Sequence, residues 1–118
     1  MSSNRDSVYL QQLMDFNVVP IITWSFDGDV LTANDAFLTL IGYTRDEMNA
    51  GAINWKSLTP PEYLPLDENC IKQLARSPIA TPYVKEYVRK DGKRIAIKLF
   101  NGHDVETPEQ GVAIIVEI

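Results

Sequence analysis

Two Asp-Gly pairs, each set between runs of alternating apolar residues, most constrain what this chain folds into. In Glu86-Tyr87-Val88-Arg89-Lys90-Asp91-Gly92-Lys93-Arg94 a tight Asp-Gly turn joins two amphipathic strands, because this dipeptide supplies the positive φ angles that right-handed strand twist requires. Trp24-Ser25-Phe26-Asp27-Gly28-Asp29-Val30 builds a second hairpin of the same kind. Strands are therefore expected over 21–26, 30–33, 83–90, 94–100 and 112–118. In Arg94-Ile95-Ala96-Ile97-Lys98-Leu99 the period of two assigns Ile95, Ile97 and Leu99 to the core. Val112, Ala113, Ile114, Ile115 and Val116 instead run apolar without alternation, the pattern of a strand covered on both faces.

Helical signals fill the space between the hairpins. Asn34 is placed to cap a helix over 35–41 through its side-chain oxygen, and Gly42 suits the left-handed position that closes it. Thr44-Arg45-Asp46-Glu47 and Thr59-Pro60-Pro61-Glu62 both match the capping-box pattern. Pro65 belongs near a helix start, so a longer helix is expected from there to about Arg76, with Leu66, Cys70, Ile71 and Leu74 as its apolar stripe. Before all of these, Tyr9, Leu10, Leu13, Met14 and Phe16 recur at helical spacing. Residues 1–19 are accordingly expected to form an amino-terminal amphipathic helix and its connection, and 20–118 the main domain.

The chemistry of the composition excludes several functions. A chain of 118 residues supports one hydrophobic core, and a net charge of −5 argues against nucleic acid, whose binding needs clustered Lys and Arg. The basic residues around Asp91-Gly92 read as a solvated hairpin tip. Cys70 is the single cysteine, so no internal disulfide is possible and a cytoplasmic location is expected. No apolar run approaches the ~20 residues that span a bilayer and no secretory signal is present, so no direct membrane contact is expected. One Cys and the distant His103 cannot supply the three or four ligands of a zinc site. No nucleophile elbow or phosphate loop occurs, so the chain is expected to be non-catalytic. Cys70 reads as a small core residue and His103, in Asn101-Gly102-His103-Asp104, as an exposed loop histidine.

The order of these features resembles the PAS sensory domain, over about 20–118: an Asp-Gly turn, Asn34-Asp35-Ala36-Phe37 opening a helix, Gly42-Tyr43 followed by the acidic Glu47, and a second Asp-Gly hairpin. Tyr83-Val84-Lys85-Glu86-Tyr87-Val88-Arg89-Lys90-Asp91-Gly92 and Leu58-Thr59-Pro60-Pro61-Glu62-Tyr63 look like a bacterial subgroup found in sensor kinases. The resemblance implies an α+β fold, a five-stranded antiparallel sheet with helices over one face and the amino-terminal helix flanking it. It implies a cavity between helices and sheet, near which Asn34, Thr39, Tyr43, Trp55, Cys70, Thr81 and Tyr83 fall, for a small-molecule ligand of unknown kind.

No cofactor is expected. Flavin-binding light sensors of this fold carry Gly-x-Asn-Cys-Arg-Phe-Leu-Gln, whereas Gly51-Ala52-Ile53-Asn54-Trp55-Lys56-Ser57-Leu58 has no Cys. The chromophore Cys of photoactive yellow protein falls near Pro60 or Pro61, and the long helix lacks the His that ligates haem. A single helical layer leaves one sheet face to be covered by the amino-terminal helix or by a second copy, so Leu10, Leu13, Met14 and Ile115 are candidate homodimer contacts. The resemblance further implies a regulatory sensor and dimerisation module whose output domain, of a histidine kinase or cyclic-dinucleotide enzyme, continues beyond Glu117-Ile118. A stand-alone small-molecule or cofactor binding protein is the alternative.

Overall fold

Side-chain alternation sorts each strand into an inner and an outer face, and the hairpin turns set the register that keeps the sorting consistent across the sheet. The computed structural model describes residues 3–103, 107 and 109–118. Five antiparallel strands, β1 (Ile21–Ser25), β2 (Val30–Ala33), β3 (Tyr83–Val88), β4 (Arg94–His103) and β5 (Gln110–Glu117), lie in the order β2-β1-β5-β4-β3. The first and last strands in sequence are thus neighbours at the sheet centre. Helices α2 (Asp35–Ile41), α3 (Arg45–Asn49), α4 (Trp55–Leu58) and α5 (Leu64–Leu74) connect β2 to β3, with a 3₁₀ turn at Pro61–Tyr63 before α5. The fold is α+β.

Local chemistry places the helix ends. The Asn34 side chain accepts from the backbone N–H of Phe37 and from that of Ile21 at 3.0 Å, and it donates to the Val19 carbonyl. One buried amide thereby caps α2 and ties it to β1. Gly42 closes α2 with φ 80°, and Thr44 with Glu47 forms the complete reciprocal capping box of α3. The second Thr-x-x-Glu pattern forms none: Pro60 stands at the start of the 3₁₀ turn without a side-chain cap, and Thr59 has turned inward. Asn54 caps α4, a helix that the sequence reading omitted, by accepting from Lys56 and Ser57.

Both Asp-Gly hairpins are present, with positive φ on the glycines, 123° at Gly28 and 89° at Gly92, and not on the aspartates. At the second, Arg89 N–H donates to the Lys93 carbonyl and Gly92 N–H to the Arg89 carbonyl. This hairpin also grips the helical layer: Lys90 N–H donates to the Ile41 carbonyl, the Arg89 guanidinium to the Leu40 carbonyl, and the Lys90 ammonium to Glu47.

The core fills the space between the helices and the inner sheet face. Phe37, Ile41, Ile97 and Ile115 are fully excluded from solvent, and Phe37 meets the Tyr87 ring edge-on at 6.2 Å. Ile95, Ile97 and Leu99 face this core as their alternation requires. On α5 the buried residues are Asp67, Cys70 and Leu74, while Leu66 is exposed. The expected stripe keeps Cys70 and Leu74, with Ile71 partly buried against the core, and has Asp67 in place of Leu66 at its amino-terminal end.

The outer face differs from expectation. In β5, Ala113 and Ile115 are buried, but Ile114 and Val116 remain 37% and 40% exposed, so the strand is covered on one face only. α1 (Ser3–Phe16) joins the domain through its last turn, where Met14 is buried and the Asn17 side chain accepts from Asp35 N–H and Ala36 N–H. Val8, Tyr9 and Leu13 of this helix are exposed.

Gly92→Val is expected to destabilise the domain by about 1–3 kcal/mol through backbone strain, since among the described residues a Cβ at Gly92 meets no atom within 4 Å beyond its chain neighbours. Thermal denaturation measures it, and an unchanged melting temperature would show that the left-handed turn carries no such cost.

Candidate functional site

Alternation along β3 turns Tyr83, Lys85 and Tyr87 toward the helices, and so brings a lysine into the core. Lys85 is 2% exposed. Its ammonium donates to Thr59 Oγ1 at 2.8 Å and to the Asp67 carboxylate, whose Oδ1 and Oδ2 lie at 2.9 and 3.0 Å. The Tyr83 hydroxyl donates to Asp67 Oδ1 at 2.6 Å, and the Thr59 hydroxyl donates to the Trp55 carbonyl at 2.7 Å. The ammonium also faces the Tyr87 ring at 4.8 Å and the Trp55 ring at 5.6 Å, within the range of cation–π attraction.

This cluster stands at one end of a small cavity lined by Ile22, Trp24, Trp55, Leu99, Asn101 and Ala113 besides the polar residues. The free volume is about 20 Å³, enough for a single water. Cys70 adjoins it, interacting with both Tyr83 and Asn101.

Burial dominates the electrostatics. It lowers the pKa of Lys85, with the Asp67 carboxylate working in the opposite sense. It raises those of Tyr83 and Tyr87 far above the usual phenol range, an effect reinforced by Asp67. The Cys70 thiol is pushed up to about 11, which removes the thiolate character that nucleophilic or metal-binding cysteines need.

The far end of the inner face is aromatic. Trp24 and His103 each stand opposite Gly111, one from β1 and one from β4, and Phe26 lies between them with ring centroids at 5.4 and 5.8 Å. A Cβ at Gly111 would fall 2.7 Å from the Trp24 ring, so glycine is needed for the indole to lie there. His103 is therefore part of a strand and half-buried, not an exposed loop residue. Trp24 Nε1 and His103 Nε2 are buried without a hydrogen-bond partner among the described residues.

The sequence-derived pocket residues separate into three groups. Trp55 and Tyr83 line the cavity and Cys70 adjoins it. Asn34 is engaged in capping α2, and Tyr43 packs partly buried at the core margin beside Lys90. Thr39 and Thr81 are exposed and line separate surface grooves. The reading missed Lys85, Asp67, Thr59 and Asn101. A signal for Lys85 was present, because it alternates in phase with Tyr83 and Tyr87; Asp67 likewise lies three, four and seven residues before Cys70, Ile71 and Leu74. Of the candidate interface residues, Ile115 is wholly buried in the core and Met14 is buried against the domain. Leu13 is exposed, and the Leu10 side chain lies outside the described residues.

A five-stranded antiparallel sheet with a helical layer on one face, enclosing a small central cavity, defines the architecture of sensory domains of the PAS and light-oxygen-voltage type. The family profile of the PAS domain matches residues 18–118. The chain belongs to the PAS domain family. It is 29% identical over 106 residues to the hybrid signal transduction protein dokA of Dictyostelium discoideum, covering 90% of this chain and 6% of that protein. A domain of a sensory box sensor histidine kinase/response regulator from Geobacter sulfurreducens has the same fold with a TM-score of 0.74, 18% identity and coverage of 93% and 92% of the two chains. A light-oxygen-voltage domain studied with a flavin analogue superposes with a TM-score of 0.70, 23% identity and coverage of 93% and 84%.

Asp67→Leu and Lys85→Met each leave one buried charge unpaired and are each expected to cost about 3–5 kcal/mol, whereas the two combined should cost far less than the sum. Denaturant unfolding of the four proteins in a double-mutant cycle checks this, and additive losses would show that the two charges act independently. Native Cys70 should resist a thiol reagent at pH 8 and react promptly once the chain is unfolded. Prompt labelling of the native protein at that pH would contradict its burial.

Proposed function

We propose that this chain is a regulatory sensor and dimerisation module of a larger signal-transduction protein of the sensor histidine kinase type, passing a conformational signal to an output domain. PAS domains of multidomain signalling proteins commonly dimerise and connect to output domains, and the matched dokA protein is many times longer than this chain.

The observation that carries the dimerisation reading is the outer sheet face. Phe100 pairs with Ile114, and Val84, Lys98 and Val116 form the adjoining row. Val84, Phe100, Ile114 and Val116 are 37–46% exposed, and contiguous apolar surface of this kind marks partner sites. The exposed Val8, Tyr9 and Leu13 of α1 supply a second apolar strip. A symmetric pair formed through such surfaces would place both copies of β5 and α1 at one interface, so a shift between protomers would be felt where each chain leaves β5.

Sedimentation velocity at tens of micromolar tests the reading. The wild type is expected to be a dimer, and Ile114→Glu, Val116→Glu and Leu13→Glu are each expected to weaken self-association at least tenfold while the melting temperature holds. Ile115→Glu, directed into the core, should instead unfold the domain. A wild type that remains monomeric overturns the dimerisation reading.

A further inference from the structure

The polar acceptors around Lys85 are held in place by bonds that do not involve Lys85. Asp67 is oriented by the Tyr83 hydroxyl at 2.6 Å, Thr59 by its own donation to the Trp55 carbonyl at 2.7 Å, and the Trp55 ring by the indole N–H donating to the Ser25 carbonyl at 2.8 Å. Tyr87, the nearer aromatic wall, is 1% exposed and packed against Phe37. These fixed elements form a receptor: a carboxylate, a hydroxyl oxygen and two ring faces converging on one point, all withdrawn from water.

We propose that the interior of this domain is a binding site for a primary alkylammonium group, and that its resident guest is the side chain of Lys85. The stereochemistry selects that class. The Asp67 carboxylate takes the head through both oxygens at 2.9 and 3.0 Å, the Thr59 hydroxyl accepts from it at 2.8 Å, and the Tyr87 and Trp55 rings face it at 4.8 and 5.6 Å, a set that suits a compact –NH₃⁺ charge. A quaternary ammonium has no proton to donate to them. A carboxylate is repelled by the Asp67 charge. Behind the head, the methylene chain of the guest is buried with the rest of the Lys85 side chain. With Lys85 in place the residual 20 Å³ excludes a free organic ligand. The site then serves as a latch, since its guest belongs to β3 while Asp67 belongs to α5 and Thr59 to the segment preceding the 3₁₀ turn.

Chemical rescue tests the proposal. Lys85→Ala removes the aminopropyl portion of the guest, and n-propylammonium supplies it back. At about ten times its Kd, n-propylammonium chloride should raise the melting temperature of Lys85→Ala by roughly 5 °C; should that variant be unfolded alone, the same salt should restore its native circular dichroism. Wild type and Lys85→Met, whose sites are filled, should not respond. Asp67→Asn combined with Lys85→Ala should not respond, nor should Lys85→Ala to tetramethylammonium chloride at equal ionic strength. Failure of n-propylammonium to stabilise or refold Lys85→Ala overturns the proposal, as does an equal response in any of these controls. The inference is independent of self-association: a monomeric wild type would remove the dimerisation reading and leave the rescue experiment unaffected.

Discussion

The hydrogen-bonded ion pair between Lys85 and Asp67 is the constraint on which the interior of this domain depends. An isolated charge in a protein core costs several kcal/mol, and here the cost is offset because the ammonium meets the Asp67 carboxylate and the Thr59 hydroxyl while the carboxylate also accepts from Tyr83. The partners come from three separate stretches: α5, β3 and the segment around Thr59. Opening any one of them from the others exposes or strands a charge, so the pair holds the helical layer on the sheet with a directionality that apolar packing lacks. The aromatic residues gather around it for the same reason, as Trp55 and Tyr87 present ring faces to the ammonium.

A second grip acts at the opposite corner. The tip of the β3–β4 hairpin reaches the end of α2 and the start of α3 through Arg89 and Lys90. These contacts are peripheral and partly exposed, and each contributes little alone. Their geometric effect is larger than their energy, since together with the buried pair they hold the helical layer to β3 at two points. The inner face of the sheet is thereby sealed, down to space for about one water. The outer face keeps Val84, Phe100, Ile114 and Val116 in contact with solvent. The two faces of the sheet therefore differ: the helical layer closes the inner one, and the outer one keeps apolar side chains at the surface.

Local signals in the sequence translated directly into local structure. Asn34 and Gly42 bound α2 at the expected residues, Thr44 and Glu47 close a capping box, and both Asp-Gly pairs turn hairpins, because each of these features is decided within a few residues. Thr59-x-x-Glu62 matched the same capping pattern and did not obey it, since the Thr59 hydroxyl found a better use with the buried ammonium and the Trp55 carbonyl. The candidate pocket residues divided along the same line. Trp55, Cys70 and Tyr83 fell at or beside the cavity, whereas Asn34 was taken by a helix cap and Thr39 and Thr81 by solvent.

The sequence by itself determined the order of the strands, the turn positions, the inward trio of β4 and the family to which the chain belongs. Those properties follow from short-range rules of backbone conformation and side-chain periodicity. Only the tertiary structure decided that a lysine and an aspartate eighteen positions apart share the core, because each is unfavourable there alone and acceptable only with the other. It likewise decided which half of the apolar β5 faces inward, with Ile115 buried and Ile114 exposed, since a run without alternation leaves its phase to be set by the register with β1 and β4.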